Sequence, residues 1–381
     1  MLRFIEETWS SEKLGNLCKI TMGQSPSSKN YSKNSNDTIL IQGNADLISG
    51  KIVPRIYTSE ITKLSYPGDI ILTVRAPVGD LAINEFDSCI GRGVCSIKGN
   101  KFIYYYLESL KDKHVWERLS QGSTFESVNS NDIKNLNLKI PSNSTQNHII
   151  NFFTAIDTKI ELLQKKHGEY IRFKQYLMQN IFADKSAEKL RFDFKDTWDK
   201  VLLKDVAFIP KKTKLTNVEG LKLLTVKLHT KGIEINDRIK PKLTKRGRPY
   251  YIRRSGELLI GRQNFHNGGM GIVPKSLDGG ICSNAISSFN VFEDKIDVNY
   301  LYYFLARPEY YIKSERLIGG TGQKEFSEKE LLKLKIDLPS LEEQNKIVDF
   351  LLNIDHKIEL SENQLNKTQE FKKGLLQQMF V

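Results

Sequence analysis

Hydrophobic positions along residues 136 to 182 follow two successive rhythms. Leu136, Leu138 and Ile140 alternate with polar residues, which predicts a strand that buries one face. After Pro141, residues Phe153, Ile156, Ile160, Leu163, His167, Tyr170, Lys174, Leu177 and Ile181 recur at spacings of three and four. That spacing predicts one long helix with a coiled-coil seam. Residues 336 to 380 repeat the pattern at a constant offset of 198 without a gap, with 17 identities over 45 positions. There the seam reads Leu351, Ile354, Ile358, Ser361, Leu365, Thr368, Lys372, Leu375 and Met379. Ser340-Leu-Glu-Glu343 reads as a capping box for the second helix, and Asn143-Ser-Thr-Gln146 as a looser version for the first. A lysine at equivalent seam positions costs stability but restricts register and partner choice. Antiparallel pairing of the helices would set Ile156 near Leu375, with His167 and Lys174 facing residues 365 to 372 or a partner.

The repeat extends beyond the helices. Leu2-Arg-Phe4 leads to Trp9, and Leu190-Arg-Phe192 leads to Trp198; each Trp precedes an amphipathic start, at residues 13 to 17 and 203 to 206. The chain therefore reads as two tandem halves, each a lobe followed by a long helix. Within the lobes, short apolar runs punctuated by Gly, Pro and Asp predict strands at 38 to 41, 70 to 74, 81 to 83 and 94 to 97, then at 221 to 226, 257 to 260, 271 to 273 and 285 to 291. A Tyr-rich helix follows in both, Phe102 to Leu110 and Asn299 to Leu305. The expected architecture is α+β: two mixed α/β lobes joined by two long antiparallel coiled-coil helices in a pseudo-twofold tandem repeat. Its divisions are 1–141, a spacer helix at 142–183, 184–339 including a polar linker at 184–188, and a second spacer helix at 340–381.

Charge changes this picture more than composition does. The chain of 381 residues carries a net charge of +12, and residues 211 to 254 alone hold 14 Lys and Arg against three acids, whereas residues 1 to 140 hold 17 against 15. No run of 18 apolar residues occurs and the N-terminal segment has the pattern of neither a signal nor a transit peptide, so the cytoplasm is the expected compartment. The cysteines at 18, 89, 95 and 282 lack Cys-x-x-Cys spacing, and the histidines lack metal-ligand spacing; free thiols and no metal are expected. The Asn/Asp-Pro-Pro-aromatic loop of amino-methyltransferases, the phosphate-binding loop and the dinucleotide fingerprint are all absent, which argues against intrinsic catalysis.

Two corresponding corners remain. Gly68 to Gly79 parallels Gly256 to Asn267, each a strand leaving a Gly-acid turn and delivering Arg75 or Arg262 to a loop. Ordinary hairpin chemistry would explain one such Arg; its repetition favours loops that touch a ligand. Lys and Arg neutralise phosphates, and Arg and Gln present two hydrogen bonds to a base edge. The candidate nucleic-acid contacts are Lys29, Arg75, Gln121, Ser123 and Thr124 in the first lobe, and Lys245, Arg246, Arg248, Arg262, Gln263, Asn264, Gln323 and Lys324 in the second. Helices of about 38 residues would be roughly 55 to 60 Å long, against about 34 Å for one turn of duplex. Such a spacer suits two lobes reading two half-sites. The candidate helix-pairing or partner-docking residues are Ile156, Ile160, Leu163, His167, Lys174 and Leu177 with Ile354, Ile358, Leu365, Lys372 and Leu375. A coiled-coil scaffold with protein-binding lobes is the alternative.

Lobe and helix twice over, with Ile-Pro-Ser in the first copy and Leu-Pro-Ser in the second, then Gln-Asn-x-Ile and Ile-Asp-x-Lys-Ile-Glu-Leu opening each helix and Leu-x-Gln-x-x-Phe closing it, resembles the specificity subunit of a type I restriction-modification enzyme. Gly68-Asp-Ile-Ile-Leu-Thr-Val-Arg-Ala-Pro-Val-Gly79 resembles that family's target-recognition domains. The resemblance implies two such domains on an antiparallel spacer and a bipartite, asymmetric site in double-stranded DNA. It also implies two methyltransferase subunits that bring S-adenosylmethionine, and motor-nuclease subunits that use ATP, with no cofactor in this chain. The first helix departs from the family's Glu-Glu-Gln opening by having Ser-Thr-Gln.

Overall fold

The structure, a computed structural model, describes residues 8–120, 127–183, 190–244, 247–314 and 325–380. It has two compact units, residues 1–166 with 361–381, and residues 167–360. Each long helix, Asn143–Ile181 and Leu341–Met379, is unbroken over 39 residues and contributes one part to each unit.

In the first unit a six-stranded sheet is ordered Lys19–Met22, Val94–Lys98, Ile70–Thr73, Leu81–Ile83, Lys51–Ile52, Leu47–Ile48. A five-stranded sheet runs Tyr31–Ser32, Tyr57–Thr58, Thr38–Ile41, Ser88–Ile90, Leu64–Ser65. Ile70–Thr73 is buried at every position, which explains why it is a continuous apolar run and not an alternating one. The helix Lys101–Asp112 starts where the Asn100 side chain accepts from Ile103 N, and turns Phe102, Tyr105 and Tyr106 into the core. These aromatics are therefore core residues and not base-stacking platforms. Ser10–Lys13 pairs antiparallel with Asn137–Ile140, whose Leu138 is fully buried, as the alternation predicts.

In the second unit the main sheet has the order Ala207–Phe208, Ile286–Val291, Leu258–Gly261, Met270–Ile272. Asp199–Leu202 pairs antiparallel with Lys335–Leu338, and the helix Val298–Leu305 is capped by Asp297. Of the strand expected at 221 to 226, only Leu224–Val226 forms.

The identities in the repeat are packing constraints. Gln146 donates from Nε2 to the Pro141 carbonyl and accepts from Asn100 Nδ2, while Gln344 donates to Pro339 and Lys295 carbonyls and accepts from Asp297 N. One buried glutamine thus ties the end of the last strand to the start of the lobe helix in both units. Phe380 packs edge-on against Trp9 and Phe102, and Phe182 against Trp198 and Phe304, which explains the two tryptophans. Arg191, from the repeated Leu-Arg-Phe, binds both oxygens of Glu343 at 2.7 and 3.1 Å, and Trp198 Nε1 donates to the same carboxylate. Glu343 therefore braces the lobe, and the capping-box role expected of it is replaced by this contact. The helix caps themselves match: Ser142 Oγ accepts from Thr145 N and Ser340 Oγ from Glu343 N, both at 3.3 Å. The first helix is thus capped one residue earlier than its sequence suggests, and the Ser-Thr-Gln departure leaves the cap intact.

Within the first unit the start of one long helix lies antiparallel to the end of the other: Phe153 stacks on Phe380, Asp157 meets Lys372, and Ile156 and Leu375 flank the same core. At this end the fully buried positions are Leu376 and Phe380, with Leu375 and Met379 beside them. In the second unit Leu177, Ile181 and Phe182 share a core with Ile347, Val348, Leu351 and Ile354. Lys174 does face the second long helix, but at Asp355 and not at residues 365 to 372.

Candidate nucleic-acid interface

Both strand-end corners begin with a left-handed glycine, Gly68 at φ +92 and Gly256 at φ +88, a conformation that disfavours other residues. The following acid is buried and hydrogen-bonded in both corners, and at the first it organises the turn. Asp69 accepts from Tyr66 N, Ser65 Oγ and Ser96 Oγ; Glu257 accepts from Ser288 Oγ at 2.6 Å. Beyond the strands the two corners diverge. Val74 N donates to Gly93 O and Val74 O accepts from Val128 N; Arg262 makes the same two backbone bonds, to Ala285 O and from Phe326 N. Gln263, and not Arg262, therefore occupies the place of Arg75.

This one-residue difference decides what each arginine does. Arg75 is exposed, and its side chain has no hydrogen-bond or ion-pair partner among the described residues. Arg262 is half-buried, with Nε on the Phe326 carbonyl, Nη1 on the Asn284 carbonyl and Nη2 2.7 Å from Glu325. The expectation that Arg262 reaches a ligand is corrected: its guanidinium braces two loops. Gln263 is half-exposed, with one long contact of 3.4 Å to Glu325, and Asn264 is exposed at the start of the next turn.

Lys29 is exposed on the short turn Ser28–Asn30, which Glu60 pins by accepting from Asn30 Nδ2 and Ser27 N; those bonds hold the Glu60 carboxyl below its usual range. In the basic segment, Lys212 pairs with Glu328, Lys227 with Glu234 and Arg254 with Asp278, and Arg253 is buried with its guanidinium on the Ile286 carbonyl. Lys211, Lys214, Lys222, Lys231, Arg238, Lys240, Lys242 and Arg248 are exposed without an ion pair among the described residues. Gln121, Ser123, Thr124, Lys245, Arg246, Gln323, Lys324 and the linker at 184–188 lie outside the described residues.

The sequence reading missed one polar cluster in part. In the first unit Lys372 Nζ lies 2.8 Å from both Glu108 and Asp157 and over the Tyr105 ring, whose hydroxyl donates to Asp157. In the second unit Lys174 meets Asp355 at 2.5 Å over the Tyr303 ring, whose hydroxyl donates to Asp355. The Lys and Asp pairs were visible as repeat identities. Glu108 was not, because Ala306 stands at its place in the second copy. A cavity of about 790 Å³ beside Lys372, lined by Lys51, Asp80, Tyr104, Glu161 and others, has charges of both signs that pair across it, Lys51 with Glu161 at 2.6 Å.

Other chemistry is weakly provided for. The four thiols are buried and unpaired, and burial pushes Cys18 up to about 11 and Cys95 up to about 12, far from nucleophilic. Among the described residues there is no group of three potential metal ligands and no helix long and apolar enough to cross a membrane.

The family described as type I restriction modification DNA specificity domain matches the chain twice, over residues 6–169 and 195–370. A putative type I restriction enzyme MjaX specificity subunit from Methanocaldococcus jannaschii is 36% identical over 191 residues, which is 48% of this chain and 44% of that protein. The MjaVIII specificity subunit of the same organism is 24% identical over 298 residues, 74% of this chain and 69% of its own length. In three dimensions the chain is similar to the S subunit of a type I restriction-modification system from M. genitalium, with a TM-score of 0.66 at 16% identity, covering 100% of this chain and 98% of that one. A chain from a structure of type I R-M complex assembly aligns with a TM-score of 0.56 at 19% identity, over 98% and 97% of the two chains.

Proposed function

Because this chain belongs to the type I restriction-modification DNA specificity family, we propose that it is the subunit that selects the DNA sequence for such a complex, binding a bipartite site in double-stranded DNA through its two lobes. The observation that carries this reading is a repeated frame with unlike side chains at matching positions. Gln146 and Gln344, the serine caps and the buried acids hold the same scaffold in both units, while Arg75 faces solvent where the second unit has Gln263. A scaffold kept constant with its loop chemistry varied suits two half-sites of different sequence.

The lobes, at 1–141 and 184–339, read DNA, and the helices, at 142–183 and 340–381, pair and dock partners. Two methyltransferase subunits carry S-adenosylmethionine, motor-nuclease subunits use ATP, and the chain itself is not catalytic and acts in the cytoplasm. Docking is supported by apolar side chains left exposed at equivalent places on the helices, Leu162 and Phe371 in the first unit, Phe173 and Leu360 in the second. The scaffold alternative gains nothing from the unpaired cations of the second lobe. Co-expression with the cognate methyltransferase subunit followed by methylome sequencing tests the proposal. One bipartite motif is expected, and the absence of any sequence-specific methylation overturns it.

A further inference from the structure

Three loops of the first unit cross beside Arg75. Gly23-Gln24-Ser25 leaves strand Lys19–Met22, Gln42-Gly43 leaves strand Thr38–Ile41, and Gly91-Arg92-Gly93 joins strands Ser88–Ile90 and Val94–Lys98. Backbone bonds knit them: Gly91 N to Ile41 O at 2.8 Å, Gln24 N to Ile90 O at 2.9 Å, and Gly23 N to Val94 O at 3.0 Å. Ser25 Oγ accepts from Arg92 N at 3.1 Å. The approach is so close that a Cβ on Gly23 would sit 2.1 Å from Gly91 O, and one on Gly93 2.1 Å from Gln42 O. Buried Asp46, itself paired with Arg55 at 2.9 Å, accepts from Gln42 N and Gly43 N and locks the third loop.

On this rigid crossing sits an exposed arginine that the sequence reading did not single out. Arg92 has no side-chain partner among the described residues, and neither has Arg75. Each adjoins the 2.9 Å bond from Val74 N to Gly93 O, so the two cations emerge from neighbouring backbone. Exposed Gln24 belongs to the same crossing. A phosphate contact asks only for a positive charge on a flexible stem, which exposed lysines supply. A planar fork with five donors on an immobile backbone is instead the arrangement for two-bond recognition of a base edge, most often O6 and N7 of guanine. In the second unit Arg262 N bonds to Ala285 O as Val74 N does to Gly93 O, which puts Asn284 at the place of Arg92.

We propose that Arg92 is a specificity-determining residue of the first unit and reads a guanine edge in the major groove, beside Arg75. The proposal rests on the reading of the chain as a DNA specificity subunit. The test expresses full-length wild type, Arg92→Lys and Arg92→Gln with the cognate methyltransferase subunit, and scores methylation at every single-base variant of the motif. Preference for guanine at one position of one half-site should fall by about 5- to 150-fold, the range one bidentate pair supplies. The other half-site should be kept. Arg92→Lys should lose the preference as Arg92→Gln does, because a point charge lacks the fork. Thermal unfolding should be unchanged; a variant that fails to fold would overturn the assignment of a free side chain. An unchanged motif in both variants, methylated fully or uniformly less, overturns the Arg92 assignment alone. A wild type that yields no bipartite motif overturns the underlying reading and this proposal with it.

Discussion

At the scale of single residues, the two seam lysines have unequal surroundings. Lys372 is nine-tenths buried between Glu108 and Asp157, whereas Lys174 has Asp355 as its carboxylate and is more exposed. Lys372→Met leaves two carboxylates facing each other at a half-closed site and should cost roughly 2–4 kcal/mol in urea unfolding. Lys174→Met should cost about 1 kcal/mol. Burial works against the Lys372 ammonium, but the two carboxylates outweigh it and raise its pKa in the folded chain. With a raised folded-state value, the stabilisation is fully present below the unfolded lysine pKa of about 10.4 and is lost as pH rises through the folded value. The stability gap between wild type and Lys372→Met should therefore be flat from about pH 7 to about pH 10 and change only above it. The arginines divide in the same way. Arg262→Ala should destabilise the second lobe by roughly 2–3 kcal/mol through the carbonyls and carboxylate it abandons, while Arg75→Ala should leave stability unaltered and change one half of the methylated motif. Loss of both halves on Arg75→Ala would contradict independent reading by the lobes.

At the scale of elements, the strand-to-helix handover is the constant part. Gln344→Leu strands two carbonyls and the Asp297 N–H, and should cost roughly 2–3 kcal/mol. Ser142→Ala and Ser340→Ala should each cost about 0.5–2 kcal/mol, and a silent Ser142→Ala would mean that the first helix takes its cap elsewhere. Phe380→Ala empties a pocket lined by Trp9, Phe102, Tyr106 and Phe153 and should cost roughly 3–5 kcal/mol, read from chemical denaturation. These elements were legible in advance because their signals are local or repeated: the three-four spacing, the alternating last strand and the paired Gln, Pro and Phe positions. The end of the seam was less so. Leu375 and Leu376 satisfy the same apolar pattern, and only the facing aromatic cluster selects Leu376 for full burial.

At the scale of the whole molecule, charge is unevenly held. The second lobe carries exposed cations without ion pairs between residues 211 and 254, and should supply more of the sequence-independent attraction to phosphate. Converting Lys245, Arg246 and Arg248 to Gln should weaken DNA binding and flatten its logarithmic salt slope by up to about three units, at about 0.9 for each phosphate no longer neutralised. The methylated motif should stay the same. An unchanged slope would place these cations on a solvated face or against a protein.

The sequence by itself determined the tandem architecture, the two long helices, their caps to within a residue, and the polar character of the loops. These follow from periodicity and from repetition of the same residues at one offset, which do not depend on distant partners. Only the tertiary structure decided where the loop side chains go. Arg75 and Arg262 look alike along the chain, yet a one-residue difference in register turns one to solvent and the other onto the Phe326 and Asn284 carbonyls. Arg92 carries no local signal, since what distinguishes it is the approach of three backbones distant in sequence, from residues 23, 42 and 91. Side-chain direction at a strand end depends on which neighbour the strand pairs with, and that pairing is a property of the folded chain.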